Sequence, residues 1–131
     1  MLTRLIALVL SILLLAGAAS ANERLLSGEV FYRERMALPV GSTLYVGLVT
    51  LPEGRPVVGA GAAIPRGGQV PLKFSLAIRS EVASSGEAFG LVAEIRNGDS
   101  VLFRNAVAAP VDLGSAAPIQ ILVTRQPVDD T

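Results

Sequence analysis

Along most of this chain, apolar residues recur at every second position. Val70, Leu72, Phe74 and Leu76 alternate with Pro71, Lys73 and Ser75. Phe89, Leu91, Ala93 and Ile95 alternate with Gly90, Val92 and Glu94, and Ile119, Ile121 and Val123 with Gln120, Leu122 and Thr124. A period of two sends successive side chains to opposite faces of a strand, so each run predicts one face on a core and one in water. That is the habit of antiparallel sheets. No amphipathic helix of useful length and no internal repeat competes with it.

The turn residues fall between these runs. Leu38-Pro39-Val40-Gly41-Ser42 separates a first strand near Gly28–Leu38 from a second near Thr43–Leu51. Pro52-Glu53-Gly54-Arg55-Pro56 precedes a small-residue strand at Val57–Ile64, and Pro65-Arg66-Gly67-Gly68 leads into Val70–Leu76. Asn97-Gly98 is the strongest hairpin signal, because tight primed turns need the positive φ that these residues supply cheaply. It predicts that Ala88–Ile95 pairs with Val101–Ala106. Ala77–Glu87 is the longest irregular connection, with room for a short helical turn. About seven strands with regularly spaced turns predict an all-β, single-domain antiparallel β-sandwich or partly open barrel.

The N-terminus reads differently. Arg4 precedes an apolar run from Leu5 to Ala18, and Ala19-Ser20-Ala21 supplies small residues before polar Asn22-Glu23-Arg24. This is the order of an export signal, with cleavage predicted after Ala21. The run is about 14 residues, short of the roughly 20 that a helix needs to cross a bilayer. The predicted organisation is a signal peptide at 1–21, a short linker at 22–27, a β-sandwich domain at 28–125 and a disordered tail at 126–131. The expected location is the periplasm of a Gram-negative cell, with no membrane span after cleavage; the alternatives are secretion and an uncleaved N-terminal anchor.

Composition narrows the chemistry. The chain has no His and no Cys, which removes His/Cys zinc sites, Ser-His-Asp triads and cysteine nucleophiles. Without Cys there is also no sulfur for a disulfide or a thioether-linked lipid. Eleven basic and eleven acidic residues are scattered along the sequence, with no basic stripe, so nucleic acid is not an expected partner. Asp129-Asp130 is a close carboxylate pair, but in a predicted loose tail that cannot hold a catalytic separation. No calcium loop is present. Lys73 and Ser75 share one strand face, the solvent face, where a lysine is a poor base. Gly59-Ala60-Gly61 has no helix start after it and reads as a place of close packing, not a phosphate cradle. Arg66-Gly67-Gly68 reads as a turn. No catalytic, cofactor-binding or metal-binding residue is assigned, no cofactor is expected, and the protein is expected not to be an enzyme.

One residue breaks the alternation. In a first strand running to Leu38, Glu34 shares a face with Val30, Tyr32, Met36 and Leu38. A charge buried there without a partner costs several kcal/mol. Three resolutions are open: an edge strand with a bulge or an inward charge that discourages aggregation, an ion pair with an arginine across the sheet, or a polar contact in a groove. Phe31 is expected on the face opposite Tyr32, where exposure would hint at a contact site.

The stretch Gly28-Glu29-Val30-Phe31-Tyr32-Arg33-Glu34-Arg35-Met36-Ala37-Leu38-Pro39 resembles the opening of the YbaY/YscW-type envelope lipoprotein family. That family reads G-x-V-x-Y-R-E-R, then an apolar residue, Ala-Leu-Pro and a Gly-containing turn. The resemblance continues through Ala63-Ile64-Pro65, Gln69 to Phe74 and Leu91 to Gly98, and covers roughly Ser27 to Val123. It implies a β-sandwich in the Gram-negative envelope and, for the YscW branch, a pilotin that helps a type III secretion secretin reach or assemble in the outer membrane. Members usually carry a lipid-bearing Cys just after the signal sequence; here Ala21-Asn22 stand there. No catalytic residues come with the resemblance.

Three functional readings follow. The first is a non-enzymatic periplasmic domain that binds an envelope protein, secretin-like, or a polymer through a sheet edge or groove. The second is a pilotin-like chaperone assisting a type III secretion secretin. The third is a carboxylate-only carbohydrate-acting protein, which requires Glu34 and Glu94 within catalytic range. The sequence carries no signal of oligomeric state.

Overall fold

The computed structural model describes residues 23–65, 68–115 and 117–127. Within them lie nine strands and one short helix: β1 Glu23–Phe31, β2 Ser42–Thr50, β3 Pro56–Ala63, β4 Leu72–Arg79, α1 Ser80–Ala83, β5 Phe89–Asn97, β6 Ser100–Arg104, β7 Ala109–Val111, β8 Ile119–Leu122 and β9 Thr124–Arg125. The leader with its cleavage site, Arg66-Gly67 and Asp129-Asp130 lie outside the described residues.

Two sheets form a sandwich. One has the order β4-β1-β8; the other runs β3-β2-β5-β6-β9, with β7 paired to β5. All pairings are antiparallel except β1 with β8, which run parallel. The chain changes sheet between β8 and β9 at Val123, whose N–H donates to the Phe31 carbonyl at 2.9 Å. At the opposite margin β3 and β4 approach without pairing, so no closed barrel forms.

The alternation predicted from sequence is the burial pattern observed. Val30 of β1, Leu48 of β2, and Leu91, Ala93 and Ile95 of β5 are fully buried, and Leu76, Ile121 and Val123 are 1% exposed. Burial of each Val, Leu or Ile side chain among them stabilises by about 1.5–3 kcal/mol. Phe103 of β6 sits at the centre, fully buried.

The first strand differs from expectation. It begins at Glu23, inside the segment expected to be a linker, and ends at Phe31 instead of Leu38. Gly28 lies inside the strand at a close approach: a Cβ there would collide with the Ile119 carbonyl oxygen of parallel β8 and come 2.8 Å from the Phe74 ring. After Phe31 the chain bends at Arg33-Glu34, which leaves Glu34 exposed. The inward Glu34, and with it the bulge and cross-sheet ion-pair explanations, is therefore corrected. Bending the chain keeps the carboxylate in water, while Met36 and Leu38 return to pack on the core.

Three smaller differences have simple causes. Strand β4 continues to Arg79, since Ile78 is buried and extends the alternation of Leu76; helix α1 then occupies part of the connection expected to be irregular. The nine strands exceed the expected seven because Val123 splits the last run and because β7 is a three-residue strand with a proline at its centre. The β5–β6 turn uses Gly98-Asp99 as its two loop residues, with Asn97 paired to Ser100. Only Gly98 takes positive φ, at +61°, the pattern of a type II′ turn rather than the I′ turn that Asn-Gly suggests.

Candidate functional site

The residues that leave β1 build one end of the sandwich. Tyr32 continues the inward face of β1 and is buried. Its ring stacks on Phe103, with centroids 4.4 Å apart and planes 16° from parallel. Its hydroxyl donates to the Met36 carbonyl at 2.8 Å, which ties down the loop Arg33–Gly41. The Tyr32 pKa lies above its ordinary value, because burial disfavours the phenolate and the Glu34 carboxylate adds to that effect. The far end of the loop is closed by Ser42, whose N–H and hydroxyl both donate to the Pro39 carbonyl, at 3.2 and 2.7 Å. Asn97 reaches over from β5 and donates to the Val40 carbonyl at 3.1 Å.

The anchored loop borders two open cavities of about 710 Å³ each. The first is walled by Tyr32 to Leu38, Val40 and the Gly68–Val70 segment. The second is walled by Pro39, the β6 residues Ser100–Arg104 and the C-terminal Arg125–Pro127. Met36 is the one residue that lines both, the boundary of a groove in two halves. Apolar surface comes from Met36, Leu38, Val70, Leu102 and Val40, which is 71% exposed. Arg33 and Arg35 rim the first half, Arg104 and Arg125 the second. An apolar floor with a flexible thioether at its centre suits a partner that brings its own apolar stripe.

Glu34 lines this groove, so of the three sequence-based resolutions the groove contact matches its position. Glu94 does not line it. Its carboxylate accepts a 2.7 Å hydrogen bond from Arg96 Nε on the outer face of β5, and Arg96 lies over the Tyr45 ring at 4.9 Å from the centroid. The carboxylate pair that glycoside chemistry would need is not brought together in either surface. Tyr45 lies over Gly61, where a Cβ would approach its ring to 2.8 Å; the small residues of β3 thus admit an aromatic ring. Lys73 and Ser75 are both exposed, as their strand face predicts, and Phe31 is half-buried.

Sequence reasoning passed over Val40, Arg104 and Arg125 as groove residues. The signal for Val40 was an apolar residue inside a Pro-x-Gly turn, where water is the expected neighbour. Arg104 and Arg125 left no signal, since they border the same cavity only because β6 pairs with β9.

No helix among the described residues is long and apolar enough to cross a membrane. No curated protein matches the chain by sequence. Its fold is similar to a solved structure described as an alternative pilotin from the type II secretion system of Vibrio cholerae. The TM-score is 0.66 at 22% identity, covering 79% of this chain and 99% of that one. The model of a family described as type III secretion system lipoprotein chaperone (YscW) matches residues 21–121, a span from the end of the predicted leader to the core of β8, and the chain belongs to that family.

Proposed function

We propose that this protein is a pilotin-like chaperone of the cell envelope, which shelters a C-terminal segment of a secretin in the groove beside Met36. One observation carries the reading. The stretch that marks the family resemblance, Gly28 to Pro39, is also the stretch that builds the groove: Gly28, Val30 and Tyr32 fix it to the core, and Arg33 to Leu38 form its wall. A protein whose role is to cover an apolar segment needs such an anchored, apolar, open surface and no reacting groups. The work is therefore binding, not catalysis, and its setting is the periplasm. With no Cys in the chain, a thioether lipid has no residue to attach to, so the function proposed is shielding the segment rather than towing it by a lipid.

The test is co-purification. The protein expressed from its full-length gene and captured from envelope extract should bring down a secretin. Truncating the groove with Met36→Ala/Val40→Ala should abolish that capture while the far-ultraviolet spectrum of the sheets is unchanged. Capture of a secretin that survives the truncation would defeat this assignment of the site.

A further inference from the structure

Strand β3 pairs with β2 alone and forms one margin of the larger sheet. Just beyond it the Ile64 N–H donates to the Ser42 carbonyl at 2.9 Å, and the same register sets Ala62 opposite Leu44 and Ala60 opposite Val46. In an antiparallel ladder, residues bonded to the neighbour alternate with residues whose backbone groups point the other way. Gly59, Gly61 and Ala63 therefore direct their N–H and C=O groups away from β2, at the open margin. Such a row is a template for a further strand.

The other edges among the described residues are guarded. Strand β4 carries Lys73 and Arg79, β7 has three residues with Pro110 at its centre, β8 has four residues directly after Pro118, and β9 has two. Short strands, charges and prolines are the devices that keep a sheet edge from pairing with other chains. Strand β3 has eight residues and no charge, and its one proline, Pro56, is its first residue. Its register shift falls at that same end, between the partners of Leu48 and Val49, and leaves Val58 to Ala63 regular.

We infer that β3 joins two copies of this chain, edge to edge and antiparallel, into a two-fold symmetric dimer with one continuous sheet. With Gly61 opposite its twin, Gly59 of each copy falls opposite Ala63 of the other, and every outward N–H and C=O of the three residues finds a partner. No like charges face each other, since the strand has none, and a chain of formal net charge zero does not repel its copy at long range. The outer face obeys the same symmetry. Tyr45 stands opposite Gly61 in the β2–β3 ladder, and its ring lies over that glycine, toward the margin, where a Cβ would come within 2.8 Å of it. Strands about 4.8 Å apart put the two tyrosine Cα atoms about 14 Å apart, a span that two inclined rings cover across adjacent glycines. No β3 residue lines either half of the groove, so the dimer leaves both grooves open and stands apart from the chaperone reading. A strand pair buries less than the roughly 1,200 Å² of a stable specific interface, which makes the dimer a weak one.

Sedimentation equilibrium tests this on the protein expressed from its full-length gene, which should pass from monomer toward dimer between about 10 μM and about 1 mM. Amide exchange on the same samples locates the contact. The amides of Gly59, Gly61 and Ala63 should exchange about tenfold more slowly at the upper concentration, whereas those of Ala60 and Ala62, already bonded to β2, should change by less than about twofold. Gly59→Pro removes an outward N–H at a position where an edge strand accepts proline. Gly59→Lys adds a guarding charge where a Cβ meets nothing nearer than the Val46 carbonyl oxygen at 3.5 Å. Each variant should stay monomeric throughout, while Met36→Ala/Val40→Ala should dimerise as the wild type does. A wild-type chain that remains monomeric at about 1 mM overturns the inference, and so does a dimer whose three outward amides exchange as fast as in the monomer. Protection of those amides by the C-terminal segment of a secretin, in a chain that stays monomeric, would overturn it in favour of a partner's strand.

Discussion

The Tyr32 hydroxyl donates a 2.8 Å hydrogen bond to the carbonyl of Met36, so the residue at the centre of the groove is held by a side chain stacked in the core. Replacing Tyr32 with Phe keeps the stack on Phe103 and removes only that bond. The expected cost is about 1 kcal/mol in urea unfolding at neutral pH. Because the loop is then tied only at its Ser42 end, secretin-segment affinity should fall while the sheets keep their spectrum. An affinity equal to wild type would show that the bond does not order the groove.

The same tyrosine predicts an alkaline limit. Its pKa is raised above the ordinary tyrosine value of 10.0, first by burial and then by Glu34. A raised folded-state pKa means that above pH 10 the native state holds a proton which the unfolded chain gives up. Stability is therefore complete below about pH 10 and declines as pH rises from there through the folded-state value. Tyr32→Phe should lose this slope, so its unfolding free energy between about pH 10 and 11 should fall less steeply than that of wild type. Parallel slopes in the two proteins would assign the alkaline sensitivity to other groups.

Gly28 tests the parallel pair. Alanine at this position collides with the Ile119 carbonyl and presses on the Phe74 ring. Backbone of β8 cannot yield as a side chain can, so the cost should reach or exceed the about 1–3 kcal/mol usual for overpacking. Denaturant unfolding measures it. A loss under about 0.5 kcal/mol, the range of ordinary surface changes, would mean that β1 and β8 do not approach as described.

How far the sequence could be read depended on the range of the interactions. Alternation in Val70–Leu76, Phe89–Ile95 and Ile119–Val123 is local to each strand, and each run falls on an observed strand, although β4 starts at Leu72 and continues past Leu76 to Arg79. The end of β1 was misread because Tyr32, Met36 and Leu38 keep the period of two through a bend. Only the long-range Tyr32–Phe103 stack and the bond from Val123 to Phe31 reveal where the strand stops. The groove was legible in part. Its first wall is the motif Arg33–Leu38, while its second wall is assembled from residues more than sixty positions further on.

Asn105 shows a position with no sequence signal at all. Its amide donates to the carbonyls of Leu91 and Val107 at 2.9 and 3.0 Å and accepts from the Ala93 N–H at 2.9 Å. It thereby satisfies the backbone of β5 where β6 ends and β7 has not begun. Asn105→Ala orphans the Leu91 carbonyl and the Ala93 N–H together, and each unsatisfied buried group costs about 1–3 kcal/mol. The variant should lose about 2–4 kcal/mol, which for a domain of this size lowers the melting temperature by well over about 8 °C. A change within a degree or two would show that water replaces the amide.

Glu34 separates the sequence-based picture from the structural one. An inward carboxylate would make Glu34→Gln a large change in stability, of the order that accompanies breaking a buried ion pair, about 3–5 kcal/mol. An exposed carboxylate in a bend predicts less than about 0.5 kcal/mol at neutral pH. The exposed charge still acts on Tyr32, because it disfavours a phenolate nearby. Removing it should lower the Tyr32 pKa, so tyrosinate absorbance in Glu34→Gln should rise at lower pH than in wild type, with folding intact. A stable variant whose tyrosinate titration is unmoved would place Glu34 too far from the ring to wall the same cavity, and the arrangement of Arg33 to Leu38 around Met36 would have to be redrawn.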